Sequence, residues 1–163
     1  MERLDTLAAF VSMLATSARL VDELAVRARS LGAGRVVVVG LSLDGWVANL
    51  HRAYLGGADV YVPMLAGTAL DELFLSSAYR RMTGRNALVN PGPVRTALNF
   101  ERDYALVPEP NVRPILARHD RLVDYTRASG AYAAHPLRTL DKGHALAAIT
   151  CMKLRQHVEL ALT

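Results

Sequence analysis

The sequence predicts an α/β domain with a short parallel sheet of about four strands flanked by helices. Two observations predict this class: short β-branched, apolar runs alternate along the chain with longer runs of helical periodicity, and glycine or proline separates them. A third is the composition, 52% hydrophobic and 21% charged, which is typical of a globular protein. At 163 residues, we expect one domain spanning residues 1–163.

The first half of the chain contains two predicted strands and two predicted helical segments, the first of which is one long helix or two. Residues 2–31 contain no glycine or proline, and their apolar residues recur at helical spacing up to the "GAG" at 32–34. Residues 35–39, "RVVVV", predict a strand buried on both faces. Residues 43–55 predict a helix that ends at two glycines, and residues 59–65 predict the second strand.

The second half continues the alternation after a helical insertion. Residues 71–104 are helical in composition, broken by "NPGP" at 90–93. The later elements are a third strand at 112–118, a helix at 121–129, a fourth strand at 135–140 and a closing helix at 145–162. Strands joined through helices pair in parallel, with right-handed crossovers.

The stretch "VVVVGLSLDGW" at 36–46 holds a serine between two glycines, directly after a strand. A phosphate-binding loop is disfavoured because Trp46 and Val47 follow Gly45 where the motif needs lysine and then serine or threonine. A dinucleotide loop is disfavoured because Ser42 stands where the pyrophosphate needs a glycine. The remaining chemical interpretation is a nucleophile on a tight turn.

A serine nucleophile needs a histidine base and an acid that orients the histidine. On a parallel sheet both should follow later strands, in the order serine, acid, histidine. Asp120 follows the third predicted strand and His144 follows the fourth. Asp124 is an alternative acid if the loop runs longer. The three groups should therefore meet at one edge of the sheet.

Three segments, "VVVVGLSLDGWVANL", "VRPILARHDRLVDY" and "LRTLDKGHA", resemble the carboxyl-terminal half of the alpha/beta hydrolase family, from the helix before the nucleophile elbow onward. The resemblance implies that Ser42 is the nucleophile, His144 the general base and Asp120 the acid. It implies an oxyanion-hole donor at the backbone N–H of Leu43, and a cap at residues 71–104.

The elbow departs from the family pattern at one position. The family has a small residue two positions after the serine, where this chain has Asp44, although Gly40 and Gly45 flank the turn. A carboxylate there should either splay the elbow or turn outward, and its charge opposes a nearby oxyanion. It also suits the first turn of a helix.

The strands that precede the elbow in the family have no counterpart in this sequence, nor does the loop that supplies the second oxyanion donor. The run at 35–39 should therefore present an unpaired apolar edge, and we expect self-association through it. Three interpretations stay open: a shortened hydrolase completed by dimerisation, a non-catalytic descendant, and a fragment of a longer hydrolase.

The function expected from the sequence is serine hydrolysis of an ester or other small acyl substrate through a Ser-His-Asp triad. The alternative is an impaired or non-catalytic binding or scaffold module. No cofactor is expected, and the histidines lack the spacing of metal ligands, so no metal is expected.

Composition bears on partners and location. The net charge of +4 comes from scattered arginines without a nucleic-acid-binding motif, so no nucleic-acid partner is expected. No segment approaches the about 18–20 apolar residues of a membrane helix. The single cysteine, Cys151, and the acidic residues before the apolar run at 7–18 favour a cytoplasmic location.

Overall fold

The computed structural model describes residues 3–150, 155–156 and 158–159 of the chain. It confirms the α/β class: four parallel strands form one sheet in the order β1-β2-β3-β4, with helices between them. The strands are β1 (Val37–Leu41), β2 (Val60–Met64), β3 (Ile115–Ala117) and β4 (Arg138–Leu140). The helices are α1 (Arg3–Ser30), α2 (Leu43–Tyr54), α3 (Leu70–Leu75), a 3₁₀ helix (Ala78–Met82), α4 (Arg85–Val89), α5 (Gly92–Leu98), α6 (Glu101–Ala105), α7 (Tyr125–Ala131) and α8 (His144–Ile149).

Strand β1 lies two residues further along the chain than predicted. It runs Val37–Leu41 instead of 35–39, because Gly40 and Leu41 continue the parallel register with β2. The expectation of burial on both faces is wrong at Val39, whose side chain is 41% exposed. The reason is that β1 pairs with a strand on one side only among the residues described, whereas the apolar cluster on that face centres on β2 and β3.

The predicted cap is confirmed as a helical segment between β2 and β3. Helices α3 to α6 and the 3₁₀ helix occupy residues 70–105. The segment packs against α1, where the rings of Phe10 and Phe74 meet edge to face with centroids 5.1 Å apart. Leu73 and Phe74 are buried in the main core with Trp46 of α2. The cap is therefore anchored both to the long first helix and to the helix that follows the serine.

A buried arginine holds the chain segment that enters β3. Arg52 of α2 donates hydrogen bonds to the carbonyls of Tyr104, Val107 and Glu109 at 2.8–3.2 Å, and its guanidinium lies 4.4 Å from the Tyr104 ring centroid. Three carbonyls and a ring face therefore replace the water that the guanidinium loses on burial. This clamp fixes how the chain reaches β3, at whose end Asp120 lies.

Two helices near the carboxyl terminus differ from their predicted bounds. Helix α7 begins at Tyr125 and not at 121, because the preceding residues form a turn on the side chains of Asp120 and Asp124. Of the predicted closing helix at 145–162, α8 covers residues up to Ile149; residues 155, 156, 158 and 159 are also helical, and the other residues after 150 lie outside the described part. Among the helices described, none is both long and apolar enough to cross a membrane.

Candidate active site

Ser42 lies at the turn between β1 and α2 with an unusual backbone conformation. Its φ of 55° and ψ of −114° are sparsely populated by residues with a side chain, at a cost of about 1–3 kcal/mol. Its N–H donates to the carbonyl of Met64 at 2.7 Å, which ties the turn to the end of β2. The turn presents the hydroxyl at the carboxyl edge of the sheet.

Two glycines allow the turn to be this tight. A Cβ at Gly40 would overlap the carbonyl of Asp44, and a Cβ at Gly45 would lie 2.7 Å from the Cβ of Ala66. Of the two outcomes expected for Asp44, the structure shows the second: its side chain is exposed and turns outward. The small residue that the helix needs against the neighbouring strand end is Gly45, three positions after the serine.

The three residues predicted for the site lie in hydrogen-bonding contact. Ser42 Oγ is 2.8 Å from His144 Nε2, and His144 Nδ1 is 2.7 Å from Asp120 Oδ2. The Asp120 side chain is 2% exposed and that of His144 is 15% exposed. Such an arrangement can pass the serine proton to a histidine whose other nitrogen is held by a carboxylate.

The second oxygen of Asp120 fixes the orientation of the carboxylate. Oδ1 accepts hydrogen bonds from the N–H groups of Leu122 at 2.8 Å and Val123 at 3.1 Å. The alternative acid, Asp124, is exposed and instead accepts a bond from the N–H of Arg127 at 2.7 Å as the N-cap of α7. The structure therefore places Asp120, and not Asp124, against His144.

The N–H of Leu43 is free at the start of α2. It directly follows Ser42, and no described acceptor takes a hydrogen bond from it. A free N–H at the amino end of a helix suits a developing negative charge.

A small apolar cavity of about 10 Å³ opens beside Ser42 and His144. Its other walls come from α2, the cap and the loop before α7: Leu43, Trp46, Leu73, Tyr79, Leu122 and Val123. Trp46 is buried in the core, with 4% exposure, and it also lines this space. Its position one helical turn after the serine could have indicated that it lines the site. Nothing in the sequence around Leu73 and Tyr79 indicates this, because no local motif determines the path of the cap.

A neighbouring cavity continues from the same wall towards a charged cluster. It shares Trp46, Leu73, Leu122 and Val123 with the first cavity. At its far side Arg127 forms ion pairs with Glu101 at 2.8 Å and Glu72 at 2.9 Å, and these bonds raise the pKa of Arg127. The guanidinium is thus committed to two carboxylates of the cap and ties α3 and α6 to α7.

Within the part of the chain that the structure describes, no group of three or more His, Cys, Asp or Glu side chains could hold a metal ion.

No protein-family model and no curated protein sequence matches the chain. Solved structures do share its fold. The esterase Pf2001 of Pyrococcus furiosus is 16% identical, with a TM-score of 0.57 over 85% of this chain and 58% of that chain. The protein TT1662 of Thermus thermophilus is 16% identical, with a TM-score of 0.52 over 83% of this chain and 57% of that one.

The chain spans just over half the length of these structures. The parallel sheet and flanking helices of this chain agree with the resemblance that the sequence showed from the elbow onward. The chain has an α/β-hydrolase-like fold.

Proposed function

We propose that the protein is a serine hydrolase that cleaves an ester or other small acyl substrate by acyl transfer. The observation that carries the proposal is the continuous contact from Ser42 Oγ through His144 to Asp120, at 2.8 and 2.7 Å. A serine, a histidine and a buried aspartate in this geometry support nucleophilic catalysis because each hydrogen bond prepares the next.

In the proposed mechanism, Ser42 Oγ attacks the substrate carbonyl carbon while His144 Nε2 takes the hydroxyl proton. Asp120 accepts the Nδ1–H of His144, which leaves Nε2 free as the base and stabilises the imidazolium that forms. His144 then returns the proton to the leaving alcohol. Water, deprotonated by the same nitrogen, releases the acyl group and restores Ser42.

The oxyanion of the tetrahedral intermediate would be held by the N–H of Leu43. This donor lies next to the nucleophile and has no competing acceptor among the described residues. Removing one such donor in other enzymes costs about a hundred- to a thousandfold in rate. A site with one donor should therefore turn over slowly.

The small size of the cavity beside Ser42 favours a short acyl group over a long one. Its volume of about 10 Å³ admits little more than a water-sized group, and its walls are mostly apolar. An acetyl ester suits this space better than a long-chain ester. One solved structure with the same fold, Pf2001, is an esterase, which supports this reaction class.

Covalent labelling with a fluorescent fluorophosphonate tests the proposal, because the probe reacts only with an activated serine. We expect labelling of the parent protein and none of Ser42→Ala. Ser30→Ala is the matched control: Ser30 is exposed at the end of α1, and its hydroxyl bonds only the carbonyl of Arg27. It should label like the parent.

A non-catalytic binding module is the second candidate. It is favoured because the N–H of Leu43 is the one oxyanion donor identified among the described residues. If the parent protein folds cooperatively but is not labelled, the hydrolase proposal is wrong and the binding module is favoured.

A further inference from the structure

A second and much larger cavity lies away from Ser42, between α1, α2 and α5. Its volume is about 290 Å³, close to the lower limit of small-molecule sites in proteins. None of the proposed catalytic residues lines it. Phe100 forms part of its wall and meets Trp46, which lines the site beside Ser42, with ring centroids 6.4 Å apart. This aromatic pair therefore connects the wall of one space to the wall of the other.

Small side chains create the space. Ala15 and Ala18 of α1 and Ala97 of α5 contribute only methyl groups to it, while Leu14 and Leu98, both buried, form its floor and side. Water in such a cavity finds few hydrogen-bonding partners, so an apolar occupant is favoured. The hydroxyl of Tyr54, which also lines the space, is already donated to Asp103 at 2.7 Å.

Among the described residues, one charged side chain lines this cavity. Arg19 of α1 is exposed at its rim, and it forms no hydrogen bond or ion pair with any residue that the structure describes. The arginine two turns further along α1, Arg27, lies outside the cavity. The space thus combines an apolar interior with a single free guanidinium at its opening.

We infer that this cavity binds a medium-chain aliphatic carboxylate. The guanidinium of Arg19 offers two parallel N–H donors, which match the two oxygens of a carboxylate, and its single positive charge matches a monoanion better than a phosphate dianion. The tail lies along Leu14, Leu50 and Leu98 and displaces poorly bonded water. The inference does not depend on the proposed hydrolase activity.

Calorimetric titration of the whole chain with octanoate tests this binding. Fluorescence of Trp46, the one tryptophan in the sequence, gives a second readout because its ring contacts Phe100 of the cavity wall. We expect saturable binding of octanoate that is at least about tenfold tighter than that of butyrate, which lacks the tail, and of 1-octanol, which lacks the charge.

Two kinds of variant locate the site. Arg19→Glu should weaken octanoate binding by about tenfold or more and leave 1-octanol binding unchanged, while Arg27→Glu, the same charge change on the same helix, should bind octanoate like the parent. Ala15→Phe should fill the space and abolish binding of both ligands. If Ala15→Phe is too unstable to measure, Ala97→Phe, which fills the space from α5, replaces it. Equal binding of octanoate and butyrate, equal effects of Arg19→Glu and Arg27→Glu, or unchanged binding in a folded cavity-filling variant would overturn the inference.

Discussion

Gly40 lies directly against the carbonyl group of Asp44, so closely that a Cβ atom at position 40 would overlap the carbonyl oxygen. This contact joins the end of β1 to the first turn of α2 and holds Ser42 in its unusual backbone conformation. The side chain of Asp44 takes no part in it and points outward. The tightness of the turn therefore depends on glycine before the serine, and the residue two positions after it is free to be polar.

We expect Gly40→Ala to lower the free energy of unfolding by roughly 1–3 kcal/mol, the usual cost of overpacking. Because α2 must move away, labelling of Ser42 by the fluorophosphonate should also fall. Urea unfolding and gel-based labelling measure the two effects. Gly34→Ala is the control, since a Cβ there meets no atom within 4 Å. If Gly40→Ala and Gly34→Ala behave alike, the close approach is not what shapes the elbow.

We expect Asp120→Asn to reduce hydrolysis of a small activated ester by a factor of about a thousand or more, because an amide cannot stabilise the imidazolium that forms at His144. Asp124→Asn should keep nearly full activity, since asparagine is an equally good N-cap for α7. Initial rates with an acetyl ester compare the two variants. An equal loss in both, or a loss in Asp124→Asn alone, contradicts the placement of Asp120 as the orienting acid.

Removing the charge of Asp44 should help turnover only slightly. Asp44→Asn keeps the shape of the exposed side chain, so we expect an increase of about two- to threefold, caused by weaker repulsion of the oxyanion and reduced by added salt. The same change should cost about 0.3–1 kcal/mol of stability, because an acid in the first turn complements the helix dipole. Rates at low and high salt, with Glu23→Gln on α1 as the control, measure the effect. If the ratio of the Asp44→Asn rate to the parent rate is the same at low and high salt, the charge of Asp44 does not act on the oxyanion as we expect.

Acid should destabilise the fold through His51. The ring is completely buried, and burial lowers its pKa, although Asp22 acts in the opposite direction. The unfolded chain therefore takes up the proton more readily than the folded one. Stability from this group is complete above about pH 6.5, the ordinary histidine pKa, and is lost as the pH falls below it. Urea unfolding at about pH 7.5 and pH 5.5 should show a smaller difference in His51→Asn than in the parent. If the parent and His51→Asn lose the same stability between these two pH values, His51 is not the cause of the acid destabilisation.

The open edge of the sheet should join a second copy of the chain. The outer side of β1 forms no backbone hydrogen bond with the residues described, and Val39 is 41% exposed beside it. Such an edge is a template for strand pairing, which a lysine discourages. We expect the parent to sediment as a dimer and Val39→Lys as a monomer. Val89→Lys, which changes a 79% exposed valine on α4, should remain dimeric. A monomeric parent would rule out this association.

The order of the elements and the edge where the polar groups lie could be predicted from the sequence alone. The apolar runs at 35–39, 112–118 and 135–140 are long enough to be strands. The serine, the aspartates and the histidine follow them, so a parallel sheet brings Ser42, His144 and an aspartate to its carboxyl edge. The helical nature of residues 71–104 could also be predicted, because composition is a local property.

The tertiary structure decided everything that depends on how those elements approach one another. Asp120 and Asp124 are equivalent in type and both follow β3; the turn between them, held by the N–H groups of Leu122 and Val123, determines which carboxylate reaches His144. The exposure of Val39 and the cavity beside Arg19 follow from the packing of several segments distant in sequence. The spacing of residues within a segment indicates whether that segment prefers a helix, a strand or a turn. It contains no information about the distance between two surfaces that only the folded chain brings together.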